Sequence, residues 1–113
     1  MHELCEANGI RYFHFLQPNQ YVPDSKRLGE EERETAFTAD HPYRRGVEKG
    51  YPFLVQSGRE LSRRGIRFHD LTMTFSDTDE QIYIDDCCHY NEKGNEILGA
   101  VIGQTIVEGM ATE

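Results

Sequence analysis

The chain has 113 residues, of which 37% are hydrophobic and 28% charged, and it carries a formal net charge of −8. This length predicts a single domain over residues 1–113, which buries about two thirds of the surface that the unfolded chain exposes. The acidic balance argues against a nucleic-acid or anionic-membrane partner, because both require clustered Lys and Arg.

The cysteine pattern and the N-terminal residues bear on the compartment. The chain has three cysteines, of which two are adjacent: Cys5, Cys87 and Cys88. An odd number with two neighbours predicts no disulfide framework. Reduced thiols are typical of cytoplasmic proteins, so the pattern favours that compartment. No apolar run approaches the length of a membrane span, and the first residues are too acidic for a signal peptide. A native start upstream of Met1 would leave the compartment open.

The first predicted elements are a helix and a strand. Residues 2–8 are typical of a helix that ends in an Asn8-Gly9 left-handed cap. The apolar and aromatic run from Ile10 to Leu16 then predicts a strand covered on both faces of a parallel sheet. Gln17 to Gly50 holds eight apolar residues in thirty-four and predicts a polar loop or cap, residues 17–50, with a short helix over residues 30–37.

The second half predicts a helix, a strand and a final helix. Apolar spacing from Val47 to Leu61 indicates a helix that starts or kinks at Pro52 and ends at Gly65. Residues 66–69 predict a short strand. A stripe from Ile97 to Ile106 predicts the last helix, and Asn91 is a good N-cap for it. Gly99 and Gly103 each cost about 1 kcal/mol in helix propensity, so we expect close packing of this helix.

This order of elements predicts a three-layer α/β/α fold of the flavodoxin-like type with a parallel sheet. Two or three strands are few for such a sheet, which usually has about five. The sequence therefore predicts part of a fold, incomplete at its N-terminus.

One turn carries the candidate chemistry. Residues 83–95 read YIDDCCHYNEKGN, in which Asp86 lies three residues before His89. In such a turn the carboxylate can accept the imidazole Nδ1 proton, which leaves Nε2 free to move a proton elsewhere. The spacing alone is weak evidence, since this pair arises often by chance.

The longer stretch DCCHYNEKGNEILGAVIGQTI resembles the last conserved block of the SGNH or GDSL hydrolases, in which an Asp-x-x-His turn precedes the C-terminal helix. The resemblance implies that Asp86 is the triad acid and His89 the triad base of a serine esterase or lipase. It implies carboxylic ester substrates, such as acetyl or acyl esters of carbohydrate or lipid, and no metal or organic cofactor. Asp85 has the wrong spacing for the acid, although it competes for the imidazole.

The resemblance is looser upstream, where FHFLQPNQY and GIRFHDLT are similar to connecting strands and loops of some members. Gln17, Pro18 and Asn19 are candidate substrate-binding residues, because α/β folds place ligands at the carboxyl ends of strands. The Gly-Asp-Ser-like turn and the oxyanion Gly and Asn of the family are not recognisable here. Four serines lack the nucleophile's setting and are predicted to be solvated: Ser25, Ser57, Ser62 and Ser76. The chain alone is therefore predicted to be inactive.

Two alternatives remain. The first is a zinc or other metal site, because three types of metal ligand occur together in residues 85–89: Asp85, Asp86, Cys87, Cys88 and His89. Adjacent cysteines, however, rarely bind one ion. His14, His41 and His69 are distant candidate ligands that are more simply structural, His14 in the core of a strand and the other two at the surface or in loops. The other alternative is a non-catalytic binding or oligomerisation module. In that case, and with Met1 as the native start, we expect the free sheet edges to pair in a homo-oligomer.

Overall fold

The computed structural model describes residues 1–112 and confirms the mixed α/β class. The helices are α1 (His2–Ala7), α2 (Glu30–Ala36), α3 (Pro42–Arg63) and α4 (Glu92–Ala111), and the strands are β1 (His14–Leu16) and β2 (Phe68–Asp70). Within residues 1–112, no helix combines the length and apolarity needed to cross a bilayer.

The two strands form a parallel pair, as predicted, with His14 opposite Phe68 and Leu16 opposite Asp70. Each strand has three residues, so β1 is shorter than the apolar run that predicted it. α3 packs against β2, and this contact is close because Gly58 faces the Phe68 ring: a Cβ at Gly58 would lie 2.0 Å from it.

The helix ends follow local signals that the sequence carries. Gly9 and Gly65 adopt left-handed backbone conformations at the ends of α1 and α3, as predicted. Of the two alternatives for Pro52, a helix start there is wrong, because this proline lies inside α3. The helix begins at Pro42, ten residues before Pro52, because the His41 side chain accepts a hydrogen bond from Tyr43 N and proline is favoured in a first turn.

α4 begins as predicted, with Asn91 Oδ1 accepting from Gly94 N at 2.9 Å. The expected close packing at Gly99 and Gly103 is wrong, because an added Cβ would meet nothing within 4 Å at either position. The glycine of α4 that packs closely against the segment before the helix is Gly94. A Cβ there would lie 2.7 Å from Ile82 Cγ2 and 2.8 Å from Tyr90 Cβ, so the N-terminus of α4 is pressed onto the segment that precedes it.

The apolar core lies between α2, the N-terminal half of α4 and the segment that joins β2 to α4. Its fully buried members are Ala36, Phe75, Ile82 and Tyr83, and the partly buried side chains packed around them are Leu28, Tyr90, Ile97 and Leu98. The segment predicted to be a polar loop, residues 17–50, thus contributes α2, the start of α3 and part of the core.

A buried carboxylate from α2 fixes the approach to the candidate turn. Glu32 Oε1 accepts from the backbone N–H groups of Ile82 at 2.9 Å and Tyr83 at 2.8 Å. Its Oε2 accepts from Lys26 Nζ at 2.7 Å, and both side chains of this ion pair are buried. Because every carboxylate oxygen has a partner, the charge can remain in the interior.

Candidate functional site

The candidate turn is closed by a short antiparallel ladder on either side of it. Tyr83 and Tyr90 form an isolated antiparallel bridge, with Ile84 N donating to His89 O at 3.1 Å and Asn91 N donating to Ile82 O at 2.8 Å. The chain therefore reverses over residues 85–88, and this reversal brings Asp85 back beside His89.

Asp85 holds the imidazole. His89 Nδ1 lies 2.5 Å from Asp85 Oδ2, while Asp85 Oδ1 accepts from the backbone N–H groups of Cys87, Cys88 and His89 at 3.0, 3.1 and 3.3 Å. Partial desolvation raises the pKa of Asp85, but the bond with His89 and the three backbone bonds together hold that pKa well below its ordinary range. The carboxylate is therefore ionised at neutral pH.

The expectation that Asp86 would bond His89 Nδ1 is wrong in this structure. Asp86 Oδ2 instead accepts from Thr38 Oγ1 at 3.1 Å, on the segment between α2 and α3. The reason is geometric: the ladder bond closes the reversal between Ile84 and His89, so the residue just inside the closure faces the ring and the next one turns away.

The imidazole is open to solvent. The His89 side chain is 66% exposed and that of Asp85 is 40% exposed. In residues 1–112 we find no hydrogen-bond partner for His89 Nε2, so this nitrogen is available for proton transfer or for a ligand.

The backbone of the turn is anchored by two residues of the loop after β1 that directly follow the candidate substrate residues and were not themselves predicted. Gln20 Nε2 donates to Asp85 O and Tyr21 Oη donates to Asp86 O, both at 2.9 Å. Gln20 and Tyr21 are buried. Polar side chains that directly follow an apolar strand were the one sequence signal that could have indicated these residues. Their bonding partners lie 65 residues away and could not be predicted from the sequence.

The three candidate substrate residues differ in their surroundings. Pro18 and Asn19 are buried and Gln17 is exposed. Asn19 Oδ1 accepts from Tyr21 N, and its Nδ2 donates to Tyr43 Oη. Pro18 O accepts from Tyr90 Oη at 2.6 Å. Pro18 and Asn19 thus bond to neighbouring protein groups, and of the three candidates only Gln17 is exposed.

Two sulfur atoms lie beside the imidazole. Cys87 Sγ and Cys88 Sγ are 3.6 Å apart as free thiols, and together with a His89 ring nitrogen they lie within 4.8 Å of one another. The hydrogen bond with Cys88, followed by desolvation and the nearby negative charges, raises the pKa of the Cys87 thiol. Cys87 is therefore a thiol rather than a reactive thiolate at neutral pH.

Within residues 1–112, none of the remaining serines and histidines hydrogen-bonds to Asp85 or His89. Ser57, Ser62 and Ser76 are exposed, as predicted, but Ser25 is buried and donates to Asn19 O, because the loop folds over it. His14 is partly buried and paired with Tyr12 Oη, as expected of a strand residue. His69, expected at the surface or in a loop, lies in β2 and is only partly exposed, with its ring stacked against Phe13 and Phe15.

In comparisons with known proteins, no family model matches the chain and no curated protein matches it significantly.

Proposed function

We propose that this chain supplies the acid and base of an SGNH-type serine ester hydrolase, as the C-terminal part of a flavodoxin-like domain. In this proposal His89 is the general base, Asp85 is the carboxylate that orients it, and the serine nucleophile comes from a segment outside residues 1–113. The substrates are carboxylic esters, such as acetyl or acyl esters of carbohydrate or lipid. The observation that carries the proposal is the 2.5 Å contact between Asp85 Oδ2 and His89 Nδ1, with Nε2 free.

The chemistry follows from that contact. With Nδ1–H donated to an ionised carboxylate, the Nε2 lone pair can accept the proton of a serine hydroxyl as its oxygen attacks the ester carbonyl. The imidazolium that forms is stabilised by Asp85, and it returns the proton to the departing alkoxide. Water then repeats the cycle on the acyl-serine, so that the enzyme is regenerated with the release of an acid and an alcohol.

A nucleophile from elsewhere is part of the proposal because none of the four serines of the chain hydrogen-bonds to His89 in residues 1–112. Ser25, the one buried serine, is occupied with Asn19 O at 3.1 Å.

The placement of the turn and the size of the sheet support the larger fold. The turn is held by the loop at the carboxyl end of β1, where parallel α/β folds bind their ligands. In the described part of the chain, β1 and β2 pair only with each other, whereas parallel sheets of this type usually contain about five strands. Further strands alongside β1 and β2 would cover their open edges.

The test is to sequence the DNA upstream of the Met1 codon and, where the reading frame continues, to express the longer product. We expect a Gly-Asp-Ser-like turn there, and hydrolysis of p-nitrophenyl acetate by the longer product. His89→Ala should abolish that activity. Asp85→Asn should lower kcat by about four orders of magnitude, as loss of the orienting acid does in a triad.

Asp86→Asn is the matched control, because it makes the same chemical change one residue along the turn and should leave kcat within about threefold, a change of well under 1 kcal/mol in the barrier. The 113-residue chain itself should show no burst. A burst abolished by His89→Ala but spared by every serine substitution would contradict the serine mechanism and indicate a cysteine nucleophile. Ester hydrolysis that survives His89→Ala would also refute the proposal.

A binding or oligomerisation module is the second candidate, and the open sheet edges favour it. An unpaired strand edge presents N–H and C=O groups that can pair with a strand of another chain. Light scattering after size exclusion would show a concentration-independent dimer or higher oligomer of the 113-residue chain. Such an oligomer, together with a longer product that is inactive towards esters, would favour this candidate over the hydrolase.

A further inference from the structure

We propose that Cys87, Cys88 and His89 form a binding site for a thiophilic divalent cation, with Zn²⁺ as the ion whose preferences the site meets best. The site stands on the geometry of the turn and does not require the proposed ester chemistry.

The two sulfur atoms already have the separation that one ion requires. Tetrahedral zinc with Zn–S bonds of about 2.3 Å places two sulfur ligands about 3.8 Å apart. Cys87 Sγ and Cys88 Sγ are 3.6 Å apart, far beyond the roughly 2.0 Å of a disulfide. A His89 ring nitrogen lies within 4.8 Å of both sulfur atoms, and a side-chain rotation that brings Nε2 to about 3.5 Å from each sulfur would complete a three-ligand tetrahedral set.

Asp85 prepares the imidazole for a metal. Histidines that bind zinc commonly donate their second ring N–H to a carboxylate, which fixes the ring orientation and makes the ligating nitrogen more basic. His89 Nδ1 is engaged in this way with Asp85 Oδ2, so the nitrogen left for an ion is Nε2. The carboxylates of Asp85 and Asp86 add negative charge to the same turn.

The backbone that carries the three ligands is held in place by hydrogen bonds, and two of the three side chains are exposed to solvent. Gln20 and Tyr21 hold the carbonyl oxygens of Asp85 and Asp86, and the ladder bond from Ile84 N to His89 O closes the turn. Cys87 and His89 are exposed, which gives an ion a direct path. Two sulfurs and one imidazole select zinc-like ions over Mg²⁺ or Ca²⁺, which prefer oxygen ligands. Three protein ligands leave a fourth position for water.

The metal and the proton compete for one nitrogen. An ion bound at His89 Nε2 occupies the lone pair that general base catalysis needs, so a bound ion would switch off the proposed acid–base function.

The test is a titration of the reduced 113-residue chain with Co²⁺ under anaerobic conditions, followed by Zn²⁺ competition. Binding releases the protons of both thiols to solvent, because the thiolate is the form that binds a metal, and Co²⁺ bound by thiolates gives a near-ultraviolet charge-transfer band that oxygen ligands do not give. We expect this band at one ion per chain, with displacement by Zn²⁺ and none by Mg²⁺. Cys87→Ser and Cys88→Ser should each weaken binding at least tenfold, and Asp85→Asn should weaken it by about ten- to a hundredfold.

Cys5→Ser is the control, because Cys5 lies in α1 and outside the cluster, and it should bind as the wild type does. Cys87 is exposed, so its substitution should not disturb folding, and circular dichroism of each variant checks this. The proposal is overturned if the thiolate band is absent, if either serine variant of Cys87 or Cys88 binds like the wild type, or if one ion is shared between two chains. None of these outcomes bears on the ester hydrolase test.

Discussion

Two carboxylates hold the same segment of this chain, Glu32 at its start and Asp85 at its turn. Each accepts backbone N–H bonds with one oxygen and pairs with a cationic or ring nitrogen through the other. They differ in burial: the Glu32 side chain is 2% exposed, whereas that of Asp85 is 40% exposed.

The comparison shows that similar hydrogen bonding serves different ends at different depths. Removing one partner of a buried ion pair leaves an uncompensated charge and costs about 3–5 kcal/mol, whereas exposed pairs contribute roughly 0–1 kcal/mol. The role of Glu32 is therefore to stabilise the fold. Asp85 contributes little to stability, and its role is to orient the imidazole of His89.

The largest expected effect is that of Glu32→Ala. It strands Lys26 and leaves the backbone N–H groups of Ile82 and Tyr83 unpaired, so we expect the free energy of unfolding to fall by about 3–5 kcal/mol. Urea denaturation measures this change. Glu34→Ala on the exposed face of the same helix is the control, with an expected change within about 0.5 kcal/mol. Equal effects of the two variants would show that the buried carboxylate of Glu32 stabilises the fold no more than an exposed one does.

The next largest effect on stability is expected at Gly94, where the N-terminus of α4 packs against Ile82 and Tyr90. Gly94→Ala drives a methyl group into Ile82 and Tyr90 and should destabilise the protein by about 1–3 kcal/mol. Gly99→Ala, in the same helix with open space around it, should instead stabilise by about 1 kcal/mol through helix propensity. Thermal or urea unfolding of both variants would show the opposite signs, and a loss of stability in both would mean that α4 packs more tightly along its length.

A smaller effect is expected from Asp85→Asn, about 0–1 kcal/mol at pH 7, because the group is exposed. Its folded pKa lies below the ordinary value of 3.8, so its stabilising contribution is present above pH 3.8 and is lost as the pH falls through the folded pKa. The difference in unfolding free energy between wild type and variant should therefore shrink as the pH falls below 3.8. Urea unfolding at pH 7, 4 and 3 measures it, and a difference that is larger at pH 3 than at pH 4 would contradict the lowered pKa.

The smallest effect is a change of tautomer without a measurable change in stability. Long-range ¹H–¹⁵N spectra of neutral His89 should show a protonated Nδ1 and an unprotonated Nε2. Asp85→Asn should shift the population towards Nε2–H, and Asp86→Asn should leave it unchanged. The reverse result would restore Asp86 as the partner of the ring, as the resemblance implied.

Local signals in the sequence predicted elements whose causes are local. Gly9 and Gly65 end helices because they adopt left-handed backbone conformations, and Asn91 begins α4 because its side chain reaches the N–H of Gly94. The start of α3 at Pro42 was missed because the apolar spacing begins only at Val47, whereas the helix is started by the bond from Tyr43 N to the His41 side chain. The stripe on α4 predicted a helix, but not how little of its length would be covered.

The sequence by itself determined that an acid and a histidine meet in a turn before a capped helix, since both lie within a few residues of each other. Only the tertiary structure decided which acid it is. Asp85 and Asp86 are chemically identical neighbours, and the choice depends on the ladder that closes the turn, on Thr38, which receives Asp86, and on Gln20 and Tyr21, which hold the backbone. Thr38, Gln20 and Tyr21 lie 48 to 65 residues away in the chain, and their positions depend on the packing of the whole chain, which spacing along the sequence does not encode.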